Sequence, residues 1–349
     1  MKTSFEHAAS PVGRHSEGDG VRPLRVYFGA CVGAADDSPV VQAWKEAAAL
    51  DCFGVHHVID DPERADLILF VDLHLSADWR LRALLRHELV RQFPAKVMAY
   101  DERDIPWCAL PGLCCGMPKR HFKPKYMKAC SYYVPIAFPQ EMQGMEPEFL
   151  FSFMGMRSHP IRGAILALRH PRSIVEDTSG FKFCDRSDPV AYDRQKARYI
   201  STMMRSKFVL CPRGAGTASI RLFETLAARR VPVIISDAWV PPADPLWDRL
   251  CLRIKERDVK SIPARLEAAE VDYPKMAELS RRAHEMWFSR PVIFHRMISE
   301  CADLLQSAGT RMHPRGGLRY LELELREAFH RVRGSLRRFL QKSGLRGYS

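Results

Sequence analysis

Short apolar runs alternate along the first half of the chain with segments of helical character. The runs at 24–29, 65–72 and 96–100 suit strands buried on both faces of a parallel sheet. Between them, 39–50 carries apolar residues at three- and four-residue spacing, and 78–93 is a second predicted helix. This order of strand, helix, strand, helix and strand predicts an α/β layer.

The same alternation begins again in the second half, after a stretch at 106–146 that is rich in proline, glycine, cysteine and basic residues. Strands are predicted at 149–155, 207–211 and 231–237, and helices at 161–169, 217–229, 262–270 and 272–307. We therefore predict a flexible tail at 1–20, one α/β domain at 21–146, a second at 147–310, and a distinct segment at 311–349.

The last segment, 311–349, carries a stripe of apolar residues at three- and four-residue steps, flanked by many arginines. This pattern predicts a basic amphipathic helix. Two interpretations are open: the helix anchors the protein to an anionic membrane surface, or its stripe packs on the protein itself.

The balance of charge points to an anionic partner. The 349 residues include 53 Lys and Arg and 41 Asp and Glu, a net charge of +12. Nucleic acid, an anionic membrane and a phosphorylated small molecule all fit this excess. Residues 311–349 hold ten Lys and Arg against three Glu, so the first 310 residues carry only +5. A nucleic-acid-binding protein stays an alternative, although no helix-turn-helix, zinc-finger or aromatic RNA-binding motif is present, so we expect no nucleic acid.

Cysteine usage and the N-terminus favour the cytoplasm, with a peripheral position at the inner face of the cell membrane if 311–349 is an anchor. The ten cysteines include no C-x-x-C pair, and the first 20 residues have no apolar core of the secretory type. No run approaches the about 18 uninterrupted apolar residues of a membrane span. We expect reduced thiols and no metal site.

The segment 206–242 carries the clearest chemistry. A buried strand leads into a glycine-containing turn and then a helix, so backbone N–H groups and the positive helix end face an incoming anion. Arg213 lies in the turn and Arg221 one turn into the helix, where both suit phosphate. Glu224 suits the two hydroxyls of a ribose. Alternatively, Arg221 and Glu224 form a surface i,i+3 ion pair.

This segment resembles the signature of the exostosin-type glycosyltransferases. The matching elements are Ser206-Lys207-Phe208, Leu210-Cys211-Pro212, Gly214, Ser219, Arg221, Glu224 and Val231 to Asp237, with Phe153-Met154-Gly155 and Pro160-Ile161-Arg162 upstream. The resemblance covers about residues 147–305 and is weak in the N-terminal half.

The resemblance implies a GT-B fold, in which two Rossmann-like domains face each other across a central cleft. It implies an inverting, metal-independent transfer without a cofactor, from a nucleotide-sugar such as a UDP-sugar to a hydroxyl of a glycan or lipid-linked acceptor. The expected donor-binding residues are Arg157, Arg162, Arg213, Gly214, Ser219, Arg221, Glu224 and Asp237. For Arg157, contact with the phosphate and a solvated position in a loop are equal alternatives.

Inverting transfer also needs a general base, expected from the first domain. Asp72 follows one buried strand, and Asp101 and Asp104 follow the next, where ligands of parallel sheets bind. Asp101 is the first choice, and the alternative is that these acids cap strand ends or lie solvated in loops. A catalytically degenerate protein of the same fold that only binds sugar is the other alternative to an enzyme.

Overall fold

The computed structural model describes residues 22–73, 78–104, 110–133, 138, 145–181, 187–243, 246–308 and 325. Within these residues the strands form two parallel sheets, one of six strands and one of five. The predicted α/β fold with two Rossmann-like units is therefore confirmed. The predicted tail at 1–20 and the predicted helix at 311–349 lie outside the described residues, apart from Leu325.

The first sheet has the strand order β2-β1-β3-β4-β5-β6. Its strands are β1 (Arg25–Gly29), β2 (His57–Val58), β3 (Leu67–Leu73), β4 (Val97–Asp101), β5 (Gly112–Cys114) and β6 (Met127–Ala129), and its helices are α1 (Pro39–Ala49), α2 (Asp78–Arg86) and α3 (Glu88–Gln92). All seven residues of β3 are buried, as expected of a central parallel strand covered on both faces. Helix α1 begins where Ser38 accepts a hydrogen bond from the Val41 amide and Pro39 takes the first helical position.

The second sheet has the strand order β11-β10-β9-β7-β8. Its strands are β7 (Phe149–Gly155), β8 (Ser173–Asp177), β9 (Ser206–Pro212), β10 (Val231–Ile235) and β11 (Leu252–Arg253). The helices of this half are α4 (Pro160–Leu166), α5 (Pro189–Met204), α6 (Ile220–Ala227), α7 (Trp247–Leu250), α8 (Ile262–Ala269), α9 (Tyr273–Ala283) and α10 (Arg290–Ala308). A π-helical turn, His284–Phe288, connects α9 to α10.

Helix α10 corrects the predicted domain boundary. We placed 147–310 in the second domain, but Phe294, Ile298 and Cys301 of α10 are buried in the first core, where Phe294 contacts Phe28 edge-on. The Cys52 amide donates to the Pro291 carbonyl at the start of the helix. The chain therefore crosses back to the first sheet, because burial of its apolar face there stabilises the fold. The apolar pattern of a helix does not specify which sheet covers it.

The described helices include none that is long and apolar enough to cross a membrane. The described residues also contain no group of three or more His, Cys, Asp or Glu arranged to hold a metal ion. Cys115 and Cys130 are buried side by side with their Sγ atoms 3.6 Å apart, packed near Tyr100.

Candidate active site

The carboxyl ends of the two sheets meet at one place. Strand β9 ends at Pro212 and continues into a loop, residues 213–219, which we call the donor loop. Gly216 of this loop packs against Asp104 of the first domain so closely that a Cβ atom would lie 2.9 Å from the Asp104 carbonyl oxygen. The Thr217 hydroxyl donates to the Gly116 carbonyl at 2.8 Å. The structure thus brings the predicted donor-binding segment into contact with Asp104, one of the predicted bases.

The donor loop is held by its own neighbours in the second sheet. The Arg213 amide donates to the Ile235 carbonyl at 3.0 Å, and the Ser236 hydroxyl donates to the Thr217 carbonyl at 2.7 Å. Ser219 occupies the N-cap of α6 without a capping hydrogen bond from its side chain. The N-terminus of α6 therefore opens onto a fixed loop, an arrangement that favours an anion.

Arg162 lies half-buried beneath the donor loop. Its Nε donates to the Arg213 carbonyl at 2.9 Å, and its Nη2 lies 3.0 Å from where a Cβ atom at Gly214 would stand. Glycine at 214 is what permits this close approach. Burial and, after it, the charge of Arg221 lower the pKa of Arg162 to about 10. The charge of Asp104 acts in the opposite direction and offsets part of this lowering. At neutral pH Arg162 remains a cation.

Arg213 and Arg157 differ in their partners. Arg213 makes long contacts to the Gly214 and Ala215 carbonyls, at 3.5 and 3.4 Å, and keeps part of its side chain exposed. Arg157 instead pairs with Asp177, with 2.6 Å between Nε and Oδ2. Sequence reasoning missed Asp177, the last residue of β8, whose pKa is lowered to about 2 by the Ser179 hydroxyl and then by Arg157.

Arg221 and Glu224 lie inside the protein, with side chains 9% and 4% exposed. The Nη2 of Arg221 donates to the Met154 carbonyl near the end of β7, and its guanidinium lies 4.8 Å from the Phe153 ring centroid. Glu224 accepts a hydrogen bond from the Tyr199 hydroxyl at 2.5 Å. The surface ion pair considered above is therefore not formed, and Tyr199 is a partner that the local spacing did not reveal.

Burial also affects the protonation of Glu224. Removal of the carboxyl group from water raises the pKa of Glu224, and the Tyr199 hydroxyl and the charge of Arg221 partly oppose this. Asp237, in contrast, is exposed after β10. Its amide donates to Glu256 Oε1, and its Oδ1 accepts from the Glu256 amide.

The three predicted bases have different surroundings. Asp72 is 2% exposed, accepts the Cys31 amide at 2.8 Å and pairs with Arg80 at 2.8 Å. Asp101 is 3% exposed, and both of its carboxylate oxygens accept from the Arg103 side chain, at 2.9 and 2.7 Å.

Asp104 differs from both of these acids because it is exposed and stands beside the donor loop. The first-choice base, Asp101, is therefore enclosed in a buried ion pair, whereas Asp104 is exposed next to Gly216.

One family model matches a part of the chain. Residues 123–269 match the family model of the Exostosin GT47 domain. The chain thus contains a segment that is similar to the exostosin GT47 domain. This matched segment contains the donor loop and Arg162, whereas Asp72, Asp101 and Asp104 precede it.

Relatives of the exostosin domain are similar over a limited stretch. An Exostosin-1 homolog of Caenorhabditis elegans is 40% identical over 82 residues, 23% of this chain and 21% of that protein. A probable glucuronoxylan glucuronosyltransferase of Arabidopsis thaliana is 32% identical over 106 residues, 30% of this chain and 22% of that protein. The chain thus spans about a fifth of the length of these curated relatives.

Solved glycosyltransferase structures resemble this protein only distantly. An α1,3-fucosyltransferase aligns with a TM-score of 0.44 at 13% identity, over 86% of this chain and 94% of that one. WaaG, a glycosyltransferase involved in lipopolysaccharide biosynthesis, aligns with a TM-score of 0.35 at 10% identity, over 82% and 99%. The proposals below rest on the site itself and on the matched family.

Proposed function

We propose that this exostosin GT47 protein is a glycosyltransferase. It transfers a sugar from a nucleotide-sugar, with UDP as the nucleotide, to a hydroxyl of a glycan or lipid-linked acceptor. The observation that carries the proposal is the contact between the donor loop and Asp104, with Arg162 and Arg213 beside it. Cations and a helix N-terminus on one side, and an accessible carboxylate on the other, are what a displacement at an anomeric carbon requires.

The donor diphosphate is proposed to bind at the donor loop and the N-terminus of α6. Arg162 and Arg213 stabilise the negative charge that develops on the diphosphate as the bond from the anomeric carbon to the phosphate oxygen breaks. Because these guanidinium groups provide positive charge, we propose that the reaction does not need a metal ion. The bonding electron pair leaves with the diphosphate.

Asp104 is proposed as the general base. Its carboxylate takes the proton of the acceptor hydroxyl while the acceptor oxygen bonds to the anomeric carbon. In this proposal the base belongs to the first domain and the leaving group to the second, and the acceptor attacks the anomeric carbon from the face opposite the diphosphate. This geometry inverts the anomeric configuration.

Arg221 and Glu224 are proposed to act from beneath the donor site. Arg221 holds the Met154 carbonyl, and Glu224 binds the Tyr199 hydroxyl of α5, so the pair fixes the end of β7 and the base of α6. In this proposal Arg221 and Glu224 are positioning residues. The remaining predicted donor contacts, Arg157, Ser219 and Asp237, are proposed to lie around the rim of the site.

The proposed location is the cytoplasm, at the inner face of the cell membrane, with 311–349 as an anchor. No nucleic-acid partner is proposed. Deletion of 311–349 tests the anchor: co-sedimentation with anionic vesicles should fall, and binding that persists undiminished would refute it.

A donor screen tests the function directly. Thermal shift with UDP-, GDP- and dTDP-sugars should show stabilisation by a UDP-sugar, since binding to the folded state raises its apparent stability. The enzyme should also hydrolyse that UDP-sugar slowly when no acceptor is present. NMR of a transferred product should show the inverted linkage. Equal, negligible shifts with all donors would refute the proposal.

A further inference from the structure

The positive charge of the protein is concentrated in two segments. Residues 118–128, which we call the basic loop, contain five Lys and Arg and no Asp or Glu. Residues 311–349 have a net charge of +7. These two segments account for the whole net charge of +12, so the other residues are neutral as a set. Such a segregation of charge marks an electrostatic binding surface.

The cations of the basic loop point to solvent. Its four exposed cations are Lys119, Arg120, Lys123 and Lys125. Within the part of the chain that the structure describes, none of them forms an ion pair. The Nζ of Lys125 lies 5.5 Å from the Tyr126 ring centroid, and Arg120 Nε lies 2.9 Å from His121 Nε2. These charges are therefore available to an external partner.

The basic loop is also structured. Phe122 and Tyr126 pack against a small core of Met117, Cys114 and Met127. The Lys119 amide donates to the Ala238 carbonyl of the second domain at 2.8 Å. Because the backbone is held in this way, the cations form a fixed surface and need little ordering when a partner binds.

Two ion pairs of Lys128 connect the basic loop to the helix that precedes the second basic segment. Lys128, the last residue of the loop, pairs with Glu300 at 3.1 Å and Asp303 at 3.3 Å, both on α10. Helix α10 ends at Ala308, three residues before the second basic segment begins. The loop therefore lies beside the part of the chain that leads into the other concentration of positive charge.

We propose that the basic loop is a docking surface for a membrane whose headgroups are anionic. Its exposed cations, three Lys and one Arg, are spread along the loop, which suits a diffuse negative surface. Exposed cations near such a surface each add to binding, and their effect falls with salt. This inference does not depend on sugar transfer.

The test uses the full-length protein and vesicles of phosphatidylcholine with about 30% phosphatidylglycerol, which give a negative surface. The loop variant is Lys119→Ser, Arg120→Ser, Lys123→Ser and Lys125→Ser. The matched control removes the same number of exposed positive charges from the second domain: Arg194→Ser, Lys196→Ser, Lys260→Ser and Lys275→Ser. The loop variant should lose roughly tenfold or more in vesicle partitioning, and the control less than about twofold.

Three results would overturn the proposal: equal losses in the loop and control variants, unchanged partitioning of the loop variant, or no binding of the parent to anionic vesicles. Loss of affinity for soluble polyphosphate without any vesicle binding would assign the loop to a soluble anion instead. If the quadruple variant fails to fold, the pair Lys123→Ser and Lys125→Ser should still show a partial loss. UDP affinity of the loop variant should be unchanged, which separates this test from that of the proposed function.

Discussion

The charged side chains at the carboxyl ends of the two sheets differ in their hydrogen-bond partners. At the first sheet, Asp72 and Asp101 are buried and paired with arginines. At the second sheet, the hydrogen bonds that Arg162 and Arg213 donate go to backbone carbonyls. A paired, buried charge is already satisfied by the fold, whereas a cation that meets only carbonyls can still neutralise a ligand. The difference separates structural charges from candidate catalytic ones.

The largest effect expected is on Asp104. Asp104→Asn should reduce kcat by about 10²- to 10⁴-fold, because the amide cannot take the proton of the acceptor hydroxyl. UDP affinity, measured by calorimetry, should stay within about twofold of the parent. The control is Asp193→Asn, an exposed acid on α5. Full activity in Asp104→Asn would show that Asp104 is not the general base and that another acid takes this role.

The next largest effect tests the buried pair at the first sheet. Arg103→Ala should lower the free energy of unfolding by about 3–5 kcal/mol, because it leaves the Asp101 carboxylate buried without its partner. Urea denaturation measures this loss. Asp101→Leu combined with Arg103→Met should recover much of the stability. If the single variant is as stable as the parent, the pair is not structural.

A smaller effect is expected at the second sheet. Arg162→Ala should weaken UDP binding roughly 10- to 100-fold, because a charge-assisted hydrogen bond to phosphate is lost. Arg194→Ala, an exposed arginine on α5, should leave the calorimetric affinity unchanged. Equal affinities in the two variants would remove Arg162 from the donor site.

The smallest effect concerns the joint between α10 and the first domain. His56 is buried, its Nε2 lies 3.3 Å from Ser299 Oγ of α10, and its ring centroid is 5.2 Å from that of His295. Burial, then the charge of His295, lowers the pKa of His56 to about 4.

Between about pH 6.5 and 4 the unfolded chain therefore binds more protons than the folded one, so stability falls as the pH is lowered through this range. His56→Gln should reduce that acid loss by about 1–2 kcal/mol. His57→Gln, at the exposed neighbouring position, should change the dependence much less in pH-dependent urea denaturation, because the charge of His57 is the smallest of the three causes that lower the pKa of His56.

The sequence by itself determined the two α/β layers and the strand, turn and helix start that form the donor loop. Continuous apolar runs and helical spacing are local properties, and they predicted the parallel strands on both sides of the domain connection. The segment around Gly214 and Arg221 likewise specifies a strand, a tight turn and a helix start without reference to the rest of the chain.

Tertiary structure decided which of the candidate charges are buried and paired and which are exposed. Asp101 ends β4 and Asp104 lies three residues further along, and only packing encloses the first with Arg103 and sets the second against Gly216. Packing also turned Arg221 inward and returned α10 to the first core. These outcomes depend on contacts between segments far apart in sequence, and the free energy of burying a charge or an apolar face is set by those contacts.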